Sequence, residues 1–309
     1  MSKNIIKINK NYTYDNLKND LLFLNYQYPY FEINNIGEST LGEKIIYIKL
    51  GNGNKKLFIN ASHHANEWMT SLIIMMFIEK YLKLYKYKEI YKGYNIEELW
   101  NNVSVYIIPM VNPDGVNLCL KNKRIINNKL FYEIWGNYFN ELDKWKSNIR
   151  GIDLNLNYPA GWNYAKKNKL KKGINKPGPR DYPGPNPISE IETKNIIRFT
   201  KLFNFDMTIS LHSQGKEIYW NYLNYKINKG YEIGKKLEKI SGYVLTKPNF
   251  NSSFAGYKDW FIENYKKPGY TIEIGEGEEG ISLPLENAEK IYNEVEELFF
   301  TAIEECVYL

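Results

Sequence analysis

Short β-prone runs alternate with helix-like runs along the chain, and this alternation constrains the fold more than any other feature. Lys44–Leu50 (KIIYIKL), Lys56–Ala61 (KLFINA), Val103–Pro109 (VSVYIIP), Asp206–Leu211 (DMTISL) and Tyr270–Ile274 (YTIEI) read as strands. Tyr12–Leu24 has helical spacing, Glu67–Tyr85 is apolar on more than one face, as in a buried helix, and Leu285–Val307 is a Glu-rich closing helix. Strands that alternate with helices need a sheet covered on both faces. The expected fold class is α/β, a three-layer α/β/α sandwich. Gly51-Asn52-Gly53 lies between two of the strands and reads as the turn of a β-hairpin. Gly173–Pro187 (GINKPGPRDYPGPNP) is the one Pro/Gly-rich stretch and reads as a surface loop inside a single domain spanning 1–309. After it, Ser189-Glu190-Ile191-Glu192 has the S-x-x-E pattern of a capping box opening a helix.

Composition excludes several classes. No apolar run approaches the length of a spanning helix. The net charge of +6 is spread along the chain, so no nucleic-acid partner is expected. Two cysteines, Cys119 and Cys306, cannot build a disulfide framework and match no zinc motif, so they read as packed thiols. The opening MSKNIIKINKNYTYDN lacks the apolar run and cleavage site of a standard secretory signal. A cytoplasmic setting, a sporulating cell included, or release by a non-standard route is expected.

Histidine narrows the chemistry further, because there are three: His63, His64 and His212. His64 and Glu67 stand three apart in a turn between strand and helix, so both can face one side. His212 ends an apolar strand, where sites in α/β sheets tend to lie. Two histidines and one carboxylate with an open fourth position suit a catalytic zinc ion. Glu273 puts a carboxylate into an otherwise apolar strand. That is costly unless it has a function, such as facing an activated water as base.

With these residues in place, the chain resembles the M14 zinc carboxypeptidase family over about Tyr12–Val307. The resemblance rests on HANEW at His64–Trp68, VNPDG at Val111–Gly115, GIDLN at Gly151–Asn155, SLHS at Ser210–Ser213 and YTIEIG at Tyr270–Gly275, in that order. It implies a central mixed twisted sheet and one Zn2+ per chain held by His64, Glu67 and His212, with Glu273 as general base. It also implies that Asn155 helps hold a substrate carboxylate, while VNPDG is scaffold and His63 packs behind the site. The carbonyl-polarising cation falls on Arg150 by chemistry or on Lys146 by spacing. A gap-free count back from Glu273 puts a mobile substrate-binding position on Asn251. The same count puts the pocket floor on Lys258, where a cation would favour an acidic group after the scissile bond.

One departure separates branches of the family. Ordinary carboxypeptidases carry Arg after the Asn of this motif, to pair with a terminal carboxylate. Here that residue is Leu156. The run WKSNIRGIDLNLNYPAGW, with PGPNPISEIET and IEIGEG, most resembles the bacterial γ-D-glutamyl-L-diamino-acid peptidases. This implies a peptidoglycan stem peptide or muropeptide as substrate, cut between D-Glu and meso-diaminopimelate. A conventional carboxypeptidase and a catalytically inactive wall-peptide-binding protein are the alternatives. Leu156 counts against the first, and the intact metal and base residues count against the second.

Overall fold

The computed structural model describes residues 4–122, 125, 135–250, 253–278 and 280–309. Eight strands form one sheet: β1 (Glu32–Glu38), β2 (Lys44–Leu50), β3 (Lys55–Ala61), β6 (Val103–Ile108), β7 (Met207–His212), β8 (Glu217–Tyr219), β9 (Val244–Thr246) and β10 (Gly269–Glu273). A separate two-stranded ribbon is made of β4 (Ile90–Tyr91) and β5 (Tyr94–Asn95). The order in the large sheet is β1-β2-β6-β3-β7-β10-β8-β9. The middle strands β6, β3, β7 and β10 run parallel, while β2 and β8 join them antiparallel. The sheet is mixed, as expected.

Alternation along the strands assigns the two faces. On β3, Leu57, Ile59 and Ala61 enter one apolar cluster and Phe58 enters the other. Val103, Val105 and Ile107 of β6 follow the first, Tyr106 and Ile108 the second. The first cluster is covered by α1 (Tyr14–Gln27), α2 (Met69–Lys86), α3 (Ile96–Asn102), the C-terminal α9 (Ala288–Val307), and Ile233 and Leu237 of α7 (Gly230–Ser241). The second is covered by α5 (Trp162–Lys171), α6 (Ile191–Phe203) and α8 (Tyr257–Tyr265). Helices on both sides of the sheet make the three-layer sandwich. Cys119 and Cys306 are buried free thiols, and burial pushes the Cys119 thiol up to about 12. Among the described residues, no helix is long and apolar enough to cross a membrane.

Two local expectations need correction. β2 and β3 do not form a hairpin, because β6 lies between them in the sheet. The glycines there serve close approach rather than a tight turn. A Cβ on Gly53 would lie 1.8 Å from the carbonyl carbon of Asn102, and one on Gly51 would lie 2.2 Å from the Val103 carbonyl oxygen. The second correction concerns α6, which opens one residue later than the capping box requires, with Glu190 at the N-cap and no side-chain cap. Ser189 Oγ instead donates to Glu190 at 2.8 Å, and Glu192 accepts from the Thr40 backbone N–H and hydroxyl, each at 2.9 Å. The neighbouring carboxylate took one end of the motif and the remote Thr40 the other. VNPDG does act as scaffold: Pro113 opens α4 (Pro113–Cys119), and Asn112 caps it by accepting from the Gly115 N–H at 3.0 Å.

Candidate active site

A bend at the end of β3 brings the first two candidate metal ligands, His64 and Glu67, together. Ser62 takes a positive φ of 50°, uncommon for a residue with a Cβ. A knot of hydroxyls holds it there. Its N–H donates to Thr70 Oγ1 at 3.0 Å, and its hydroxyl meets those of Thr70 and Ser71 at 3.0 and 2.7 Å. The chain then makes one 3-10 turn, Ala65–Glu67, before α2. His64 and Glu67 end on the same side, with His64 Nδ1 2.7 Å from Glu67 Oε1.

His212 arrives at the C-terminal end of β7. Its Nδ1 is 2.9 Å from Glu67 Oε2 and 3.1 Å from His64 Nδ1. One donor atom from each of the three residues lies within 4.8 Å of the others, and all three side chains are buried. Two imidazole nitrogens that face each other across a buried carboxylate are poorly matched alone, and a shared cation resolves the arrangement. Zinc bonds of about 2.0–2.2 Å in tetrahedral geometry need donors at about this spacing. Burial pushes the Glu67 carboxyl up, but His64 and His212 outweigh it and hold it below the usual carboxylate range. Burial lowers His64, yet the Glu67 and Asp153 charges leave it raised to about 9.

Asp153 belongs to the site although sequence reasoning gave it no role. Its Oδ1 lies 3.2 Å from His64 Nε2, and as a carboxylate it can only accept. That contact fixes hydrogen on Nε2 and turns the Nδ1 lone pair toward the metal position. Asp153 also caps the turn Leu154–Leu156 through the Asn155 N–H at 3.1 Å. Its signal was an acid inside the otherwise apolar or amide run GIDLN.

Glu273 ends β10 directly beside His212 in the parallel register. Burial first, and the Glu67 charge second, raise its carboxyl to about 8. Two cavities, of about 390 and 400 Å³, share His64, Lys146, Arg180, Tyr219 and Glu273 along their walls. A groove therefore passes over His64 and Glu67 and continues on both sides.

The structure separates the two candidates for the polarising cation. Lys146 lines both cavities and sits 3.5 Å from Asp153 Oδ2. Its backbone carbonyl accepts from the Ala65 N–H at 3.0 Å, which ties it to the His64 turn. Arg150 lines neither cavity; its Nε is 3.8 Å from Glu190, and its side chain is 54% exposed. Of the two, Lys146 therefore faces the groove and Arg150 does not, although side-chain chemistry alone favoured Arg150. Gly151 has φ +72° and leaves no room for a Cβ against Trp135.

The substrate-side residues are mixed. Asn155 lines the second cavity with Leu156, and its Oδ1 accepts from the Tyr257 N–H at 3.0 Å. Lys258 also lines that cavity, but its ammonium donates to Asn221 O and Asp259 Oδ1, both at 2.6 Å. The pocket thus presents a buried Lys–Asp pair rather than a lone cation. Asn251 lies outside the described residues. His63 packs behind the site, its Nε2 2.9 Å from the Tyr158 hydroxyl and its ring 5.9 Å from that of His212. Tyr219 and Arg180 carried no signal in the sequence. One is in a three-residue strand, and the other is inside a loop without periodicity.

A buried two-His, one-Glu centre at the strand ends of an α/β sandwich, with a second glutamate and a lysine facing the same groove, defines a zinc-dependent hydrolase. The chain belongs to the zinc carboxypeptidase family, whose model matches residues 19–300. It is 35% identical over 297 residues to γ-D-glutamyl-L-diamino acid endopeptidase 1 of Lysinibacillus sphaericus, covering 95% of this chain and 72% of that one. It is 33% identical over 279 residues to the uncharacterised protein YqgT of Bacillus subtilis, covering 89% and 73%. Among solved structures, bovine thrombin-activatable fibrinolysis inhibitor, in complex with tick carboxypeptidase inhibitor, aligns with a TM-score of 0.73 at 19% identity. That alignment covers 97% of this chain and 99% of the other, and shows the shared fold. The protein is a zinc metallopeptidase.

Proposed function

We propose that this peptidase hydrolyses the γ-D-glutamyl–meso-diaminopimelate bond of peptidoglycan stem peptides, with residues 1–309 acting as one catalytic domain. Leu156 carries this reading. It stands beside Asn155 on the cavity wall and offers no charge to a peptide's terminal carboxylate. The Lysinibacillus relative's name supports the same substrate class.

His64, Glu67 and His212 would hold zinc, which supplies Lewis-acid polarisation of carbonyl and water. Glu273 accepts the proton of the attacking water and returns it to the departing amine. Lys146 donates to the oxyanion that develops on the former carbonyl oxygen. Asp153 keeps the His64 tautomer and orients Lys146. Asn155 contacts the substrate, and the Lys258–Asp259 pair offers both charges to the diaminopimelyl end. The setting is a cell-wall peptide or a recycled muropeptide.

The test is product analysis by mass. Zinc-loaded protein is incubated with L-Ala-γ-D-Glu-meso-diaminopimelate and with an α-linked peptide. Release of diaminopimelate from the first alone supports the reading. Cleavage of only the second makes the protein a conventional carboxypeptidase, and cleavage of neither makes it a binding protein.

A further inference from the structure

Of the two cations that line both cavities, Lys146 and Arg180, the chemistry above leaves Arg180 unused. It lines both cavities, at their junction with Glu273 and Lys146. Its loop is rich in proline and glycine but is tied down on both sides. Lys146 and Ser147 N–H groups both donate to Pro179 O at 2.9 Å, and the Asp153 N–H donates to Tyr182 O at 2.8 Å. The segment that carries Lys146 and Asp153 therefore also places Arg180. Gly280 faces it with φ +84°, and a Cβ there would lie 2.5 Å from Arg180 Nη1. The missing side chain leaves space for the guanidinium.

Two other cations of the second cavity have closer carboxylates, Lys146 sits 3.5 Å from Asp153, and Lys172 lines that cavity alone, away from the junction. Lys258 is 2.6 Å from Asp259 and Lys169 is 2.7 Å from Asp181. Arg180 reaches Asp181 only through Nε at 3.3 Å, and Lys169 already neutralises that carboxylate. The Nη edge of Arg180 forms no ion pair among the described residues. A guanidinium edge is a planar two-donor surface matched to a carboxylate. In the proposed substrate, both residues at the scissile bond carry one. The γ-linked glutamate keeps its α-carboxylate on the acyl side, and diaminopimelate has a carboxylate on the carbon bearing the scissile nitrogen. An internal α-linked peptide bond has neither.

We propose that Arg180 binds a substrate carboxylate adjacent to the scissile bond and so selects γ-linked peptides over internal α-linked bonds. This rests on the wall-peptide reading above. The experiment measures binding by calorimetry to zinc-loaded Glu273→Gln, with and without Arg180→Gln, at matched zinc content. Three peptides are used: the unmodified tripeptide, the form amidated at the glutamyl α-carboxylate, and the form amidated at the diaminopimelyl carboxylate beside the scissile nitrogen. Arg180→Gln is expected to weaken the unmodified tripeptide about 10–100-fold. One amidated peptide should bind the Arg180-containing protein just as weakly and lose nothing more in the double variant, and that peptide identifies the carboxylate. This arm needs no substitution at Arg180, so it does not depend on how the variant folds. Equal affinity with and without Arg180, or an equal loss for all three peptides, overturns the proposal alone. No binding of any peptide overturns the wall-peptide reading and this proposal with it.

Discussion

Glu273 and His212 are neighbours in the sheet, yet they answer to different demands. His212 offers a lone pair inside a three-residue cluster, whereas Glu273 faces the groove from the next strand, outside that cluster. Removing one should therefore cost the metal, and removing the other only the proton transfer. Glu273→Gln is expected to keep zinc at one per chain while lowering kcat by about 10²–10⁴-fold. His212→Ala should lose both zinc and turnover. Metal analysis beside a rate assay decides: turnover retained in Glu273→Gln removes it as base, and full zinc in His212→Ala breaks the ligand set. These residues were legible because each breaks its local pattern, a polar ring or an acid ending an apolar run. Arg180 breaks no pattern. Its position depends on backbone bonds from Lys146, Ser147 and Asp153, which no spacing within its own loop encodes.

At the scale of elements, the strands that carry the site could be read because their apolar runs are short, β-branched and bounded by turns. Their pairing could not. A Gly-Asn-Gly between two strands looks the same whether the strands pair or a third strand enters between them. The distinguishing fact is the approach of Asn102 and Val103 to those glycines, some fifty residues downstream. The misread capping box has the same cause, since Thr40 and Asn148 are remote competitors for the Glu192 and Glu190 carboxylates. Asp114, in the first turn of α4, shows what such burial costs. Its carboxylate accepts from the Ser39 hydroxyl and Leu41 N–H, but burial outweighs these bonds and raises it to about 7, with Glu192 and Glu43 adding to the rise. The folded protein therefore holds this proton more tightly than the unfolded chain does. The stability that Asp114 contributes is complete below about pH 4 and is lost as pH rises through about 7. The full effect is at most about 4 kcal/mol. Asp114→Asn, which keeps an acceptor oxygen, should gain melting temperature relative to the parent between pH 5 and pH 8. A difference that stays constant over that range would place the acid in an ordinary environment.

For the whole molecule, a zinc ion held by His64, Glu67 and His212 would be a cross-link between distant parts of one sheet. Its ligands come from the bend after β3 and from the end of β7, which lie 145 residues apart in the chain. The apolar clusters on the two faces of the sheet do not include these ligands, so the fold should survive without zinc. It should nevertheless be less stable, because an ion that binds only the folded state adds free energy by mass action. At free zinc a thousand times Kd the gain is about 4 kcal/mol. For a chain of 309 residues, whose unfolding entropy scales with length, this corresponds to about 6 °C in melting temperature. Chelation should lower the Tm by that order and leave the far-ultraviolet circular dichroism of the folded state unchanged, and added zinc should restore it. His212→Ala supplies the control. The zinc-dependent shift must vanish in that variant, because a carboxylate and one imidazole left in the bend hold the ion far more weakly than three converging ligands. A shift of equal size in parent and variant would mean that zinc stabilises the protein elsewhere and that β3 and β7 are not joined through it.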